Sequence, residues 1–212
     1  MAVLDLQEQE QIEAFKAWWK ENRYQLIGAL LIVIIAVGGW RGWLYYQNKQ
    51  SVEASTLYFE FTQQIQSNDA MRINDAAAVL TNKYASSAYA SRAALMAAQM
   101  NEHLKDITQA RAQLQWVIDH AGEPGLNAVA RLRLASILLD EKNHAGALLL
   151  LEAEHPASFD GLFADIKGDV LSAQDKNEEA KMAYQTAISK TDARSMYRNL
   201  IQLKLDALVV SK

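Results

Sequence analysis

From residue 47 onward almost no stretch alternates apolar and polar side chains. Alanine and leucine recur instead at spacings of three and four, the period of an amphipathic helix. The first 46 residues follow a different rule. No side chain between Arg23 and Arg41 is charged, and Arg41 is the one charge within LIGALLIVIIAVGGWRGWLYY, residues 26–46. A helix rises about 1.5 Å per residue, so crossing a hydrocarbon layer of about 30 Å takes roughly 20 apolar residues. The run reaches that length if Arg41 snorkels toward the headgroups at its far end. Trp18, Trp19 and Tyr24 precede the run, and Trp40, Trp43, Tyr45 and Tyr46 close it. Amphipathic rings concentrate at both membrane boundaries, and this belt takes up four of the chain's five tryptophans. The pattern predicts a tail over residues 1–23 and a retained transmembrane anchor over residues 24–46.

A cleaved signal peptide competes with this reading, because Ala36-Val37-Gly38 supplies a small-x-small cleavage pattern. Against cleavage, the tail is long and carries five acids to three bases, and the apolar run continues past that site into Trp40 and Trp43. The tail itself reads as a helix, with Asp5 and Glu8 in capping-box register and Leu4, Ile12, Phe15, Trp18 and Trp19 as its apolar residues. Its polar face is acidic at Glu8, Glu10 and Glu13, unlike the basic face of a helix that seeks an anionic membrane surface. Lys16, Lys20 and Arg23 stand before the span against Arg41 and Lys49 after it, a slight bias toward a cytoplasmic N-terminus.

The helical region repeats. Ala98, Ala135 and Gly168 each lie twelve residues before Ala110, Ala147 and Ala180, and four residues further on stand Leu114, Leu151 and Tyr184. The steps between units are 37 and 33 residues. Twelve residues between small positions span one helix end, a short turn and one helix start, so two antiparallel helices approach closely at both points. Lys105-Asp106, Lys142-Asn143 and the segment from Asp175 to Asn177 put capping residues at the middle of each unit. Gly122-Glu123-Pro124-Gly125 and His155-Pro156 separate the units. Spacing near 34 with small residues at these positions is the tetratricopeptide pattern in degenerate form. Upstream, residues 51–67 and 73–85 form a further pair in weaker register, with Tyr58, Phe59, Phe61 and Ile65 expected in the core. Downstream, residues 193–209 form one helix expected to pack through Met196, Leu200, Leu203, Ala207 and Leu208, a cap for the last repeat. The predicted fold class is all-α: a single transmembrane helix, then a tetratricopeptide-like solenoid of helical hairpins with a C-terminal capping helix over residues 47–212.

Composition narrows the function. Beyond residue 46 the net charge is about −3 without charge blocks, so nothing suggests nucleic acid, and the absence of cysteine excludes a disulfide scaffold. His103, His120, His144 and His155 fall at helix ends or turns without partners at metal spacing. Asp140-Glu141 and Glu178-Glu179 suit helix termini, and no phosphate loop, nucleophile elbow or zinc-protease motif is present. No catalytic, cofactor or metal residues are assigned, and the chain reads as a non-enzyme. A repeat solenoid without chemistry binds through the first helix of each pair. The residues placed on that face are Arg92, Leu95, Gln99 and Glu102, then Val129, Leu132, Ser136 and Leu139, then Leu162, Asp165, Asp169 and Ser172. Each leucine among them could equally be packed within the solenoid.

Particular stretches carry a family resemblance. Gln11-Ile12-Glu13-Ala14-Phe15-Lys16, Trp18-Trp19 and Glu21-Asn22 precede the span, Gly39-Trp40-Arg41 closes it, and Lys167-Gly168-Asp169 and residues 180–184 lie in the last repeat. With these the whole chain resembles the YfgM family, ancillary subunits of the bacterial SecYEG translocon. The resemblance implies a cytoplasmic N-terminus, one inner-membrane span and a periplasmic domain. It also implies action with the PpiD chaperone beside the translocon on periplasmic client proteins. A membrane-tethered scaffold for envelope assembly or division shares every physical feature but the partner, and a hydrolase with an unrecognised site is the reading from another class.

Overall fold

The computed structural model describes the backbone of residues 2–210 and the side chains of residues 8 and 10–208. Among the described residues the chain is helical throughout, with no strand: α1 (Ala2–Ile65), α2 (Ala70–Lys83), α3 (Ala88–His103), α4 (Ile107–His120), α5 (Pro124–Asp140), α6 (His144–Leu151), α7 (Asp160–Ser172), α8 (Asn177–Lys190) and α9 (Met196–Val210), with a single 3-10 turn at Ala157–Phe159. The chain divides into two compact units, one ending at Gln50 and one running from Ser51. In the first, the expected tail helix and span are a single uninterrupted helix, since no proline or helix-ending glycine motif stands between them. It is the one helix among the described residues long and apolar enough to cross a membrane, and none of its apolar window is buried. Phe15 stacks on Trp18 and Trp19 at centroid distances of 6.1 and 6.5 Å. The Leu4 and Asp5 side chains, proposed as parts of a start signal, lie outside the described residues.

The second unit is built from one recurring turn. Asn68, Lys105, Lys142 and Asp175 are the non-glycine residues with positive φ among those described, at 53°, 66°, 61° and 60°. They recur at steps of 37, 37 and 33, so the end of α1 and α2 form a first hairpin in full register with the three read from the sequence. At the last three turns the backbone closes as a Schellman motif. The N–H of Asp106, Asn143 and Lys176 donates to the carbonyl five residues back at 2.8, 2.8 and 3.0 Å. The next helix starts on the same residue. Asp69, Asp106 and Asn143 accept from the backbone N–H groups of Met71 and Arg72, of Gln109, and of Gly146. Lys176 cannot do this, and in α8 the first-turn acids Glu178 and Glu179 face the helix dipole instead.

These turns fold each pair back on itself where the side chains are small. Ala98, Ala110, Ala135, Ala147 and Ala180 have no exposed surface, and Gly168 is buried. A Cβ at Gly168 would stand 2.5 Å from Cε1 of Tyr184, so the α7–α8 pair tolerates no side chain there. In the first hairpin sizes are exchanged: Phe61 and Ile73 occupy the places of Ala98 and Ala110, and Ala77 that of Leu114, all fully buried. Between hairpins, the buried Asn101 and the half-buried Asn74 exchange reciprocal amide hydrogen bonds of 2.8 and 3.2 Å, which fix the register of α3 on α2. Trp116, the tryptophan outside the belt, packs against both the first and the central apolar clusters.

Two core expectations need correction. Tyr58, Phe61 and Ile65 join the first cluster, but Phe59 is 65% exposed because one residue along a helix turns the side chain by about 100°. In α9, Ile201 is fully buried with Tyr197, Leu205 and Leu208 beside it, while Met196, Leu200, Leu203 and Ala207 face outward. The docked face also carries Lys204, whose partners are described below. The small positions yield a first prediction. Ala147→Leu, which forces overpacking, should destabilise the full-length chain by ~1 to 3 kcal/mol in thermal melts followed by circular dichroism. Ala145→Leu on the exposed side of the same helix should change little, and equal tolerance of both would contradict the register.

Candidate partner-binding face

The twelve residues assigned to the face fall into three groups. Leu95, Leu132 and Asp165 are buried, at 8%, 9% and 1% exposure, and so belong to the interior. Val129 and Leu139 are half-buried against the central cluster. Arg92, Gln99, Glu102, Ser136, Leu162, Asp169 and Ser172 keep exposed or half-exposed surface. The third residue of each quartet therefore keeps open surface, and the second points inward.

Several of these residues join neighbouring hairpins. Arg92 of α3 bonds both carboxylate oxygens of Glu123, at the start of α5, at 3.1 Å. Arg133 of α5 donates to the Gln99 side chain at 3.2 Å and the Leu95 carbonyl at 3.4 Å. Glu102 lies close to this guanidinium, yet its Oε1 is buried without a hydrogen-bond partner. Burial raises the Glu102 carboxyl above the ordinary range, and the Arg133 charge offsets part of that rise. Ser136 donates to the Leu132 carbonyl of its own helix at 3.1 Å.

At the last repeat the row meets α9. Lys204 donates to both oxygens of Asp165 at 3.0 and 2.9 Å and to Asp169 at 2.8 Å. Tyr197 donates to Asp165 at 2.5 Å, and Tyr184 of α8 donates to Asp169 at 2.8 Å. Two carboxylates, one ammonium and two phenols form a closed network; of its three donors only Tyr184 was singled out in the sequence, and there as a packing position of the repeat. One signal was available, a lysine within the Tyr197, Ile201, Leu205 and Leu208 face at a spacing that meets two interior acids. The tyrosine hydroxyls are pushed above their ordinary value by burial and then by hydrogen bonding to Asp169 and Asp165 respectively. For Lys204 burial works against the charge, but its bonds to Asp169 and Asp165 prevail and raise it. Asp165 and Asp169 are thus occupied by the capping helix.

The histidines sit at helix ends and turns, but two are packed more closely than solvated side chains. His120 stacks on Trp116 at 4.5 Å, and half-buried His155 stacks on Phe163 at 3.7 Å. No group of three His, Cys, Asp or Glu side chains that could hold a metal ion occurs among the described residues.

The fold defines a helical-hairpin repeat protein preceded by a long apolar helix. A family model described as tetratricopeptide repeat-like domain matches residues 16–210. An ancillary SecYEG translocon subunit of Neisseria gonorrhoeae is 33% identical over 207 residues, covering 96% of this chain and 98% of that protein. Proteins of the same description from Haemophilus influenzae and Escherichia coli are each 26% identical, over 204 and 206 residues, with 96% of this chain and 98% and 97% of theirs covered. No solved structure matches the chain. The chain belongs to the family of these ancillary SecYEG translocon subunits, the YfgM family of tetratricopeptide repeat-like proteins.

The network at α9 gives a second prediction. Lys204→Met should destabilise the chain by about 2 to 3 kcal/mol, below the range for fully buried pairs because Lys204 is 28% exposed while Asp165 is 2% exposed. A raised lysine contributes stability that is complete below its unfolded value of 10.5 and is lost as pH rises through its folded value. The melting-temperature gap between wild type and Lys204→Met should accordingly be constant to about pH 10 and narrow above it. A gap that stays constant through the alkaline range would contradict the pairing.

Proposed function

We propose that this protein is a non-enzymatic accessory of the SecYEG translocon, held in the inner membrane by residues 24–46. Its 1–23 tail would be cytoplasmic and its 47–212 domain periplasmic. There it assists newly exported proteins as a chaperone or adaptor, alongside a PpiD-type chaperone. The observation that carries this reading is the match to ancillary SecYEG translocon subunits over 96% of the chain. An apolar helix with no buried surface in its window and a repeat array with an open row of side chains support it physically. Affinity purification of the full-length protein in mild detergent should recover SecYEG, and recovery of division or envelope-assembly proteins without the channel would refute the assignment. For orientation, alkaline phosphatase fused to the C-terminus should be active, as export of the domain requires; an inactive fusion would reverse the topology.

A further inference from the structure

The second helix of a hairpin has 14 residues in α2, α4 and α8, but α6 stops after 8, at Leu151. In repeat register residues 152–157 take the place of the last turns of α4, yet they form an irregular link in which Pro156 cannot continue a helix. The first half of α5 therefore lacks the turns of partner helix that α3 and α7 have. Between it and the link lies a cavity of about 640 Å3, with Asn127 and Arg131 on the side of the helix and Glu154, His155 and Pro156 on the side of the link.

Arg131 departs from the repeat at this point. The same position is Leu57 in the first hairpin, Ala94 in α3 and Ala164 in α7, and all three pack in the apolar clusters. Arginine stands there in the hairpin whose second helix is cut short, so packing of the repeat does not account for it. Its guanidinium is held in place: Nε donates to Asn127 Oδ1 at 2.6 Å, and Asn127 Nδ2 donates to the Ile118 carbonyl of α4 at 2.7 Å. Both Nη groups are left without a hydrogen bond or ion pair among the described residues. The other half-buried arginines spend theirs, Arg92 on Glu123, Arg133 on Gln99 and the Leu95 carbonyl, and Arg198 on the carbonyls of Ile188 and Thr191.

The remaining wall does not compete for this charge. His155 Nδ1 donates to the Ala153 carbonyl at 2.8 Å, its ring lies on Phe163, and its Nε2 is 3.5 Å from Asp160, which Lys190 also pairs at 2.9 Å. Glu154 is exposed and in no ion pair among the described residues. We propose that this cavity binds a carboxylate carried by a polypeptide segment, gripped by the two Nη groups of Arg131, whose planar fork matches a carboxylate. The neighbouring residues of that segment rest on Pro124 and Pro156, which line the same cavity. A multiply charged phosphate meets Glu154 and Asp160 as like charges, whereas a carboxylate brings one charge for one guanidinium. The volume lies within the roughly 300–1,000 Å3 of pockets that bury drug-sized ligands, more than a lone small anion fills. This site does not depend on which complex the chain joins.

The test uses the full-length chain in mild detergent and equilibrium dialysis against three pools of acetylated hexapeptides, otherwise randomised over uncharged residues. One pool has aspartate at its third position and an amidated end, one has asparagine there and a free C-terminal carboxylate, and one has asparagine and an amidated end. Mass spectrometry of the retained peptides should show a carboxylate pool held about tenfold over the pool without one, the scale of one charge-assisted contact. Whichever carboxylate pool is held tells whether a side chain or a chain end is the source. Arg131→Gln should abolish the preference and Arg131→Lys should keep part of it. If Arg131 only braces α5 on α4, Arg131→Gln and Asn127→Ala will both lower the melting temperature while the preference survives, and the proposal falls. Should Arg131→Gln not fold, Glu154→Lys at an exposed position places a second cation at the site and should raise carboxylate retention severalfold, whereas Gln185→Lys on the exposed side of α8 should not. Equal responses of those two variants, or equal retention of all three pools by wild type, overturn the proposal.

Discussion

A residue held in the left-handed region once per hairpin is the constraint on which the rest of the second unit depends. An L-residue other than glycine pays about 1 kcal/mol or more to sit there, and Asn68, Lys105, Lys142 and Asp175 all do. The gain is that the chain reverses in so few residues that the two helices must touch along their length. Backbone bonds across the turn and side-chain caps on the following helix then satisfy groups that a helix end leaves open. Close contact in turn demands small residues at the crossing, which is why alanine and glycine recur there. Where the first hairpin places Phe61 and Ile73 at those positions, Ala77 takes the place of the leucine opposite, so the volume is redistributed along the contact.

Stacking the hairpins needs a second kind of interaction, polar and specific. The Asn74–Asn101 pair, the Arg92–Glu123 pair and the bonds from Arg133 each join one hairpin to the next. A purely apolar contact between helices can slide by a turn, whereas a satisfied amide pair in the interior holds one register. At the end of the array the same logic governs α9. Its apolar contact is made by Tyr197, Ile201, Leu205 and Leu208, and the same rotation brings Tyr197 and Lys204 onto the interior Asp165. Stranding an interior carboxylate costs several kcal/mol. Apolar burial and the acids of α7 thus favour the same rotation of the capping helix, which turns Met196, Leu200 and Leu203 to the outside.

The sequence by itself determined the parts governed by period and local chemistry. Apolar character from Leu26 to Tyr46 broken only by Arg41, the small residues twelve apart and the capping residues between them made the long apolar helix, the three hairpins and the terminal helix legible. Those signals are local or repeat at a fixed distance, so they survive reading in one dimension. Tertiary structure decided what depends on residues far apart in the chain. The first hairpin was in weak register because Phe61, Ile73 and Ala77 invert the usual sizes, and only their mutual packing identifies them. Phe59 was misplaced because neighbouring aromatics on one helix cannot all face the core. Of the candidate face, Gln99, Ser136 and Leu162 lie on the open row, whereas Leu95, Leu132 and Asp165 turned inward. That division follows from helix rotation, which amphipathicity fixes poorly in alanine-rich helices such as α3 and α5. The outward row of α9 was foreseen as core for the same reason: its burial depended on a lysine meeting two acids more than thirty residues away, a pairing of charge with position that no periodicity records.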